Sequence, residues 1–221
     1  MKTVLITHDD CVKHEISPHH PESPARIAAI LDQVDKASWN QLERREAREA
    51  TMEELLLAHD RAYIDNVFAR SPKSGTVRLD GDTAMNPWSL RAAQLAVGAA
   101  VQAIDGVLAR EFRNAFCCAR PPGHHAERSE AMGFCLFSTI AIAALHALQH
   151  PDIDRVAIID FDVHHGNGTE DIVGDNPNVF FCSTFQSPLY PGKYGENVEG
   201  RKINIPLPEG SDGSIFRDRI D

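Results

Sequence analysis

Between residues 156 and 169 the sequence reads VAIIDFDVHHGNGT, an apolar run that turns abruptly polar. Asp160, Asp162 and His164 fall at alternate positions, so on an extended backbone their side chains share one face. Carboxylates and imidazoles at a strand end are donors suited to a divalent metal. A hydrolytic zinc site takes three such donors and leaves a position for water, whose pKa the metal lowers while it polarises a carbonyl. Asp162 and His164 are the candidate ligands, with Asp160 a further carboxylate able to orient an imidazole. Structural ion pairing is the plainer alternative, because acids are common at strand ends.

A second chemical stretch is RPPGHHA at 120–126. In a strand, adjacent histidines would point in opposite directions; after a rigid Pro-Pro-Gly turn, His124 and His125 can converge on the rim that carries Asp162. Either could then serve as a general base. His14, His19 and His20 lie in a proline-rich loop, where solvated side chains are expected rather than metal ligands.

The elements that must position these groups follow from pattern. A strand is expected over 3–7, and a helix after Pro24 with Ser23 as its N-cap. Thr51 and Glu54 have capping-box spacing, and a helical pattern continues over 59–68. A turn spans 79–83. The Ala-rich stretch 89–108 predicts a helix with a core stripe at Leu90, Ala93, Ala96, Val97, Ala100, Val101 and Ile104. Strands are expected over 115–119, 156–159 (buried on both faces), 179–183 and 202–207, and helices over 138–148, from Thr169, and over 215–221. This alternation predicts one α/β domain over 1–221, a doubly wound, mostly parallel sheet flanked by helices.

Composition narrows the setting. The 221 residues are 43% hydrophobic and 24% charged, with a net charge of −10 and no basic run. Nucleic acid is therefore not an expected partner, and cationic substrates are mildly favoured. Five cysteines without a C-x-x-C pair read as free thiols of a reducing compartment, so a cytoplasmic location is expected. No apolar run approaches the ~18 residues of a membrane span.

RPPGHHA at 120–126, Gly133-Phe134-Cys135 and DFDVHHGNGT at 160–169 together resemble the histone deacetylase family. The likeness is nearer to its class II and bacterial amidohydrolase branch, which includes acetylpolyamine deacetylases, and extends from HPESPAR at 20–26 to INIPL at 203–207. It implies an arginase/deacetylase-like fold and zinc held by Asp162 and His164. It makes His124 and His125 the acid/base pair, Asp160 the partner of His124, and Asn167 the partner of His125. An amide there, in place of a carboxylate, suits His125 to act as the base. Gly133, Phe134 and Tyr190 would wall a narrow acyl-lysine tunnel, with Asp82 as the acid at its rim. Asp160, Asp162, His164, Ser183 and Thr184 match a structural potassium site. The substrate implied is an acetylated amine: a protein lysine, a polyamine or a small amide.

The chain departs from the family pattern at its end. The third zinc ligand, an Asp in a later Gly-Phe-Asp segment, and the oxyanion Tyr of a Gly-Gly-Tyr segment are not reached. The chain is therefore read as a fragment of a longer deacetylase that lacks its C-terminal strands, and an inactive fragment or binding module is the alternative. An unfinished sheet edge could pair with another chain, which leaves a homo-oligomer open. A dimanganese ureohydrolase of the arginase type would need a carboxylate where Gly166 stands.

Overall fold

The computed structural model describes residues 2–37, 39 and 42–220. In chain order the elements are β1 (Thr3–Thr7), a short 3-10 helix (Asp9–Lys13), α1 (Pro24–Lys36), β2 (Leu42–Glu46), α2 (Met52–Leu55), α3 (Arg61–Ala69), β3 (Val77–Arg78) and β4 (Ala84–Met85). They continue with α4 (Ser89–Leu108), β5 (Asn114–Cys117), α5 (Thr139–Ala147), β6 (Val156–Asp160), α6 (Asn167–Val173), β7 (Val179–Gln186), β8 (Lys202–Leu207) and α7 (Gly213–Ile220). The result is an α/β fold of parallel strands and flanking helices. Its strands fall into two three-stranded parallel sheets, ordered β2-β1-β5 and β6-β7-β8, beside the small antiparallel β3-β4 hairpin. No helix among the described residues is long and apolar enough to cross a membrane, and all five cysteines are free.

Burial explains which strands a hydrophobic pattern reveals. Val4, Leu5 and Ile6 are fully buried because β1 is the middle strand of its sheet. β2, with sequence LERRE, carries no such pattern and was not expected. It pairs with β1 along its backbone, only Leu42 packs against the core that holds β1, and its charges meet outside it, Arg45 with Glu43 and Glu111. β6 corrects the expectation of a strand buried on both faces: Ile158 is buried, but Ile159 is 58% exposed. α5 packs on one face of β6, and among the described residues only β7 pairs with it.

α4 spans the expected residues but is apolar on two faces rather than one. Ala93, Val97 and Val101 enter a core with Leu55, Ile64, Ile142 and Phe181. Leu95 and Ala99 enter a second core with Val4, Ile6 and Phe112. A helix lying between two cores must bury more than the usual stripe. The capping box at Thr51 is present, yet the helical pattern expected over 59–68 is broken. α3 starts at Arg61, and His59 is a buried imidazole instead. His59 accepts the Ser138 N–H at 2.8 Å on Nε2, and its Nδ1–H points at the Arg128 carbonyl, 3.2 Å away. Burial pushes its pKa down to about 4, so it stays neutral in the core. Ser23 occupies the N-cap position of α1 without a side-chain cap bond.

The proline-rich loop is also less solvated than expected. His14 is fully buried, with Nδ1 2.7 Å from Ser89 Oγ and Nε2 3.3 Å from Glu22 Oε2. Glu22 is itself buried and takes the Arg120 guanidinium as a two-pronged fork, at 2.7 and 2.5 Å. Arg120 Nη1 donates to the carbonyls of Cys11 (2.8 Å) and His14 (2.7 Å). The N-terminal loop is thereby stapled to the first residue of the RPPGHHA turn. Burial works against the Glu22 charge, but His14 and Arg120 outweigh it and hold the pKa down at about 2.

Glu22→Gln should leave the Arg120 charge buried without its counter-ion and cost about 3–5 kcal/mol at neutral pH, measurable as a lowered urea midpoint. Because the folded pKa lies below the unfolded ~4.3, this contribution is fully present above that value and is lost as pH falls towards about 2. The difference in stability between wild type and variant should therefore shrink across that window.

Candidate active site

The tandem histidines are delivered by the turn that follows β5. Ala126 N–H closes the turn onto the Gly123 carbonyl at 3.2 Å, and Thr169 N–H from α6 holds the His124 carbonyl at 3.1 Å. Both rings face the same side, their centroids 3.9 Å apart. Each has a different partner behind it. His124 Nδ1–H donates to Asp160 Oδ2 at 2.9 Å, and His125 Nδ1–H donates to Asn167 Oδ1 at 2.8 Å. The Asn167 amide nitrogen donates to the Glu127 carboxylate at 2.6 Å, which fixes the orientation of the amide. Its oxygen must then face His125, so the Nε2 of His125 carries a free lone pair.

These partners drive the two imidazoles apart in basicity. Burial opposes charge on His124, but the Asp160 hydrogen bond and negative charge, with Asp162 beyond, hold its pKa above the ordinary value. On His125, burial and then the charge of His124 push the pKa down to about 4, which the Asn167 bond only partly offsets. The two rings are thereby separated in basicity, as acid and base roles require.

The backbone leading to Asp162 and His164 is not the extended run that alternate spacing suggested. β6 ends at Asp160, and the chain bends at 162–164. Asp160 Oδ1 accepts the Asp162 N–H (3.1 Å), and Asp162 Oδ1 accepts the His164 N–H (2.8 Å). Two successive Asx-type turns, and not strand alternation, bring these side chains round. Asp162 Oδ1 and His164 Nδ1 lie 3.2 Å apart, and the His164 ring is 5.7 Å from that of His125. α6 begins at Asn167, two residues earlier than expected.

A cavity of about 530 Å³ collects the remaining candidates: Asp82, Gly133, Phe134 and Tyr190 line it together with His124, His125, Asp162 and His164. Tyr190 stands edge-on to His125 at 4.9 Å and to His164 at 6.0 Å. Phe134 adopts a positive φ of 69°, its N–H held by Thr83 Oγ1 at 2.9 Å and its ring met edge-on by His20 at 4.5 Å. Burial and the neighbouring Asp80 charge raise the pKa of Asp82. Ser183 and Thr184 lie on β7 beside Asp160, outside the cavity wall. Ser183 Oγ is 3.1 Å from His165 Nδ1, and Thr184 Oγ1 donates to the Asp160 carbonyl at 3.5 Å.

For a metal, Asp162 and His164 offer one carboxylate and one imidazole side by side, the donor chemistry of a hydrolytic zinc site. No third His, Cys, Asp or Glu joins them among the described residues. The pair fits the ion as two of its three protein donors.

The profile described as histone deacetylase domain matches residues 20–221. The chain belongs to the histone deacetylase family. It is 41% identical over 224 residues to an uncharacterized protein of Synechocystis sp., covering 98% of this chain and 73% of that protein. It is 39% identical over 220 residues to a probable deacetylase of Archaeoglobus fulgidus, covering 96% and 60%. The crystal structure of the HDA15 HD domain matches it with a TM-score of 0.85 at 34% identity, over 93% of this chain and 62% of that one. The chain thus spans 60 to 73% of the length of these relatives.

Several residues of this histone deacetylase-family site had no role in the sequence reading. Glu22 and Arg26 line the cavity, and Glu127 holds the amide that orients His125. Glu22 sits in the HPESPAR segment and Arg120 opens RPPGHHA, so both lay inside quoted motifs; their pairing across 98 positions was invisible. Replacing Asn167 by Asp should raise the His125 pKa above its value of about 4, because a carboxylate favours the imidazolium where the amide does not. Imidazole titration by NMR reads this directly, and an unchanged value would rule out control by residue 167.

Proposed function

We propose that this cavity hydrolyses the amide bond of an acetylated amine, with zinc held by Asp162 and His164 as two of its protein ligands. The observation that carries the reading is a pair of adjacent imidazoles, one backed by the Asp160 carboxylate and the other by the Asn167 amide, facing Asp162 and His164 across one cavity. A zinc ion held by Asp162 and His164 would supply an activated water and polarise the amide carbonyl. His125, neutral and with Nε2 free, takes a proton from the nucleophile. His124, whose protonated form Asp160 favours, gives a proton to the departing amine.

Phe134 and Tyr190 present aromatic faces to an aliphatic stem, and Asp82 accepts a hydrogen bond or a positive charge at the mouth. Asp160, Asp162, His164, Ser183 and Thr184 would hold a structural potassium ion next to the metal pair. The substrate is an acetylated lysine, an acetylpolyamine or a small amide, and the net charge of −10 favours those that carry a free cation. A second metal of the dimanganese type is disfavoured at residue 166. A Cβ there would stand 2.2 Å from Asp160 Oδ2 and 3.4 Å from His124 Nδ1, so a bridging carboxylate would displace the pair beside it.

The test is acetate release from an acetyl-lysine peptide and from N-acetylputrescine by the zinc-loaded protein. Hydrolysis of at least one is expected, with kcat falling about 10²–10⁴-fold in His125→Ala. No acetate from either substrate, or an undiminished rate in the variant, would overturn the proposal.

A further inference from the structure

Outside the catalytic pair, the most heavily engaged carboxylate of this region is Glu170 on α6. Its side chain is 11% exposed and accepts from four groups on three segments. His165 Nε2 lies 2.7 Å from Oε2, Lys202 Nζ 2.7 Å from Oε1, Asn204 Nδ2 3.1 Å from Oε1, and the Gly195 N–H 3.0 Å from Oε2. These donors outweigh the burial that opposes its charge and hold the pKa down at about 2.

The consequence lies in the segment 187–201, which joins β7 to β8 and carries Tyr190. It has almost no regular structure, so side-chain ties must hold its shape. Gly195 is clamped at both ends of its peptide: its N–H goes to Glu170, and its carbonyl accepts from Asn204 Nδ2 at 3.0 Å. A Cβ at 195 would stand 2.4 Å from Glu170 Oε1 and 2.7 Å from Lys202 Nζ, so a larger residue there must push these two side-chain ends out of the clamp. A second tie runs from Lys193 to Glu127 at 2.8 Å, and Glu127 also holds Asn167. The Tyr190 segment is thus fastened to the same short helix that orients His125. Through His165, Glu170 also grips the residue that follows His164.

We propose that Glu170 is a positioning residue of the active site: by clamping Gly195 it sets the Tyr190 wall of the substrate cavity against His125 and His164. The inference rests on the reading of that cavity as a substrate site. Glu170 touches no reacting atom, so its loss removes binding that ground state and transition state share, which appears in KM rather than kcat.

The test uses the zinc-loaded protein with Glu170→Gln and Gly195→Ala; the second keeps every charge and carries the test alone if the first does not fold. Hydrogen exchange of the 187–201 amides should accelerate in each variant. KM for the acetyl-lysine peptide should rise roughly tenfold with kcat nearly unchanged. In a Tyr190→Ala background the added effect of Glu170→Gln on KM should largely vanish. Unaltered exchange over 187–201, or a KM effect undiminished without Tyr190, would overturn it. Should the wild-type protein release no acetate, the proposed activity fails, and the exchange measurement still decides the clamp.

Discussion

Two imidazole rings with centroids 3.9 Å apart in a partly buried site cannot both carry a proton without strong mutual repulsion. What stands behind each ring decides which one does. Asp160 supplies a full negative charge to His124, whereas Asn167 supplies only a dipole to His125. The difference depends on three pieces of chain arriving together: the end of β6, the first residue of α6 and the turn after β5. Most of the surrounding structure serves to keep those three in register. Thr169 N–H tied to the His124 carbonyl and Glu127 tied to the Asn167 amide are the short links that do so.

Around that centre the irregular segments are held by buried charge. The loop before α1 is fastened by Glu22 and Arg120, and the 187–201 segment by Glu170 with Lys202 and His165. Loops lack the repeating ladder that fixes a strand or helix, so a few strong, directional contacts must do the same work. An Arg–carboxylate fork suits this because it sets angle as well as distance. Burying such a pair adds little net stability over an apolar core, and its value lies in selecting one arrangement of the loop. Both staples lie beside the cavity and shape its walls, from Pro21 and Glu22 on one side to Tyr190 on the other.

How legible an element was depended on how much of it met water. The helix over 89–108 announced itself because a stripe of small apolar residues recurs at helical spacing, although its second buried face blended into the same Ala-rich composition. β2 gave no signal, since one apolar residue, Leu42, packs on the core and the other four of LERRE are charged, which leaves no strand periodicity to read. In β6 the β-branched run was read as buried on both faces, yet apolarity of composition does not say what covers each face. His14, in a loop pattern, and His59, in a helical one, show the same limit: whether a histidine is a surface group or a core group depends on what lies tens of residues away.

The chemical identity of the site is carried by the primary structure. His124, His125, Asp160, Asp162, His164 and Asn167 lie in two short motifs, and local turn chemistry fixes much of their geometry: Pro-Pro-Gly before the histidines, and the Asx turns at 160 and 162. Tertiary structure alone decided which loop is stapled to which motif and what covers each face of β6. The reason is range. Turns and capping bonds act within a few residues and are written locally. Burial and charge–charge contact depend on distance in space, and partners 36 to 98 positions apart meet only once the chain has folded.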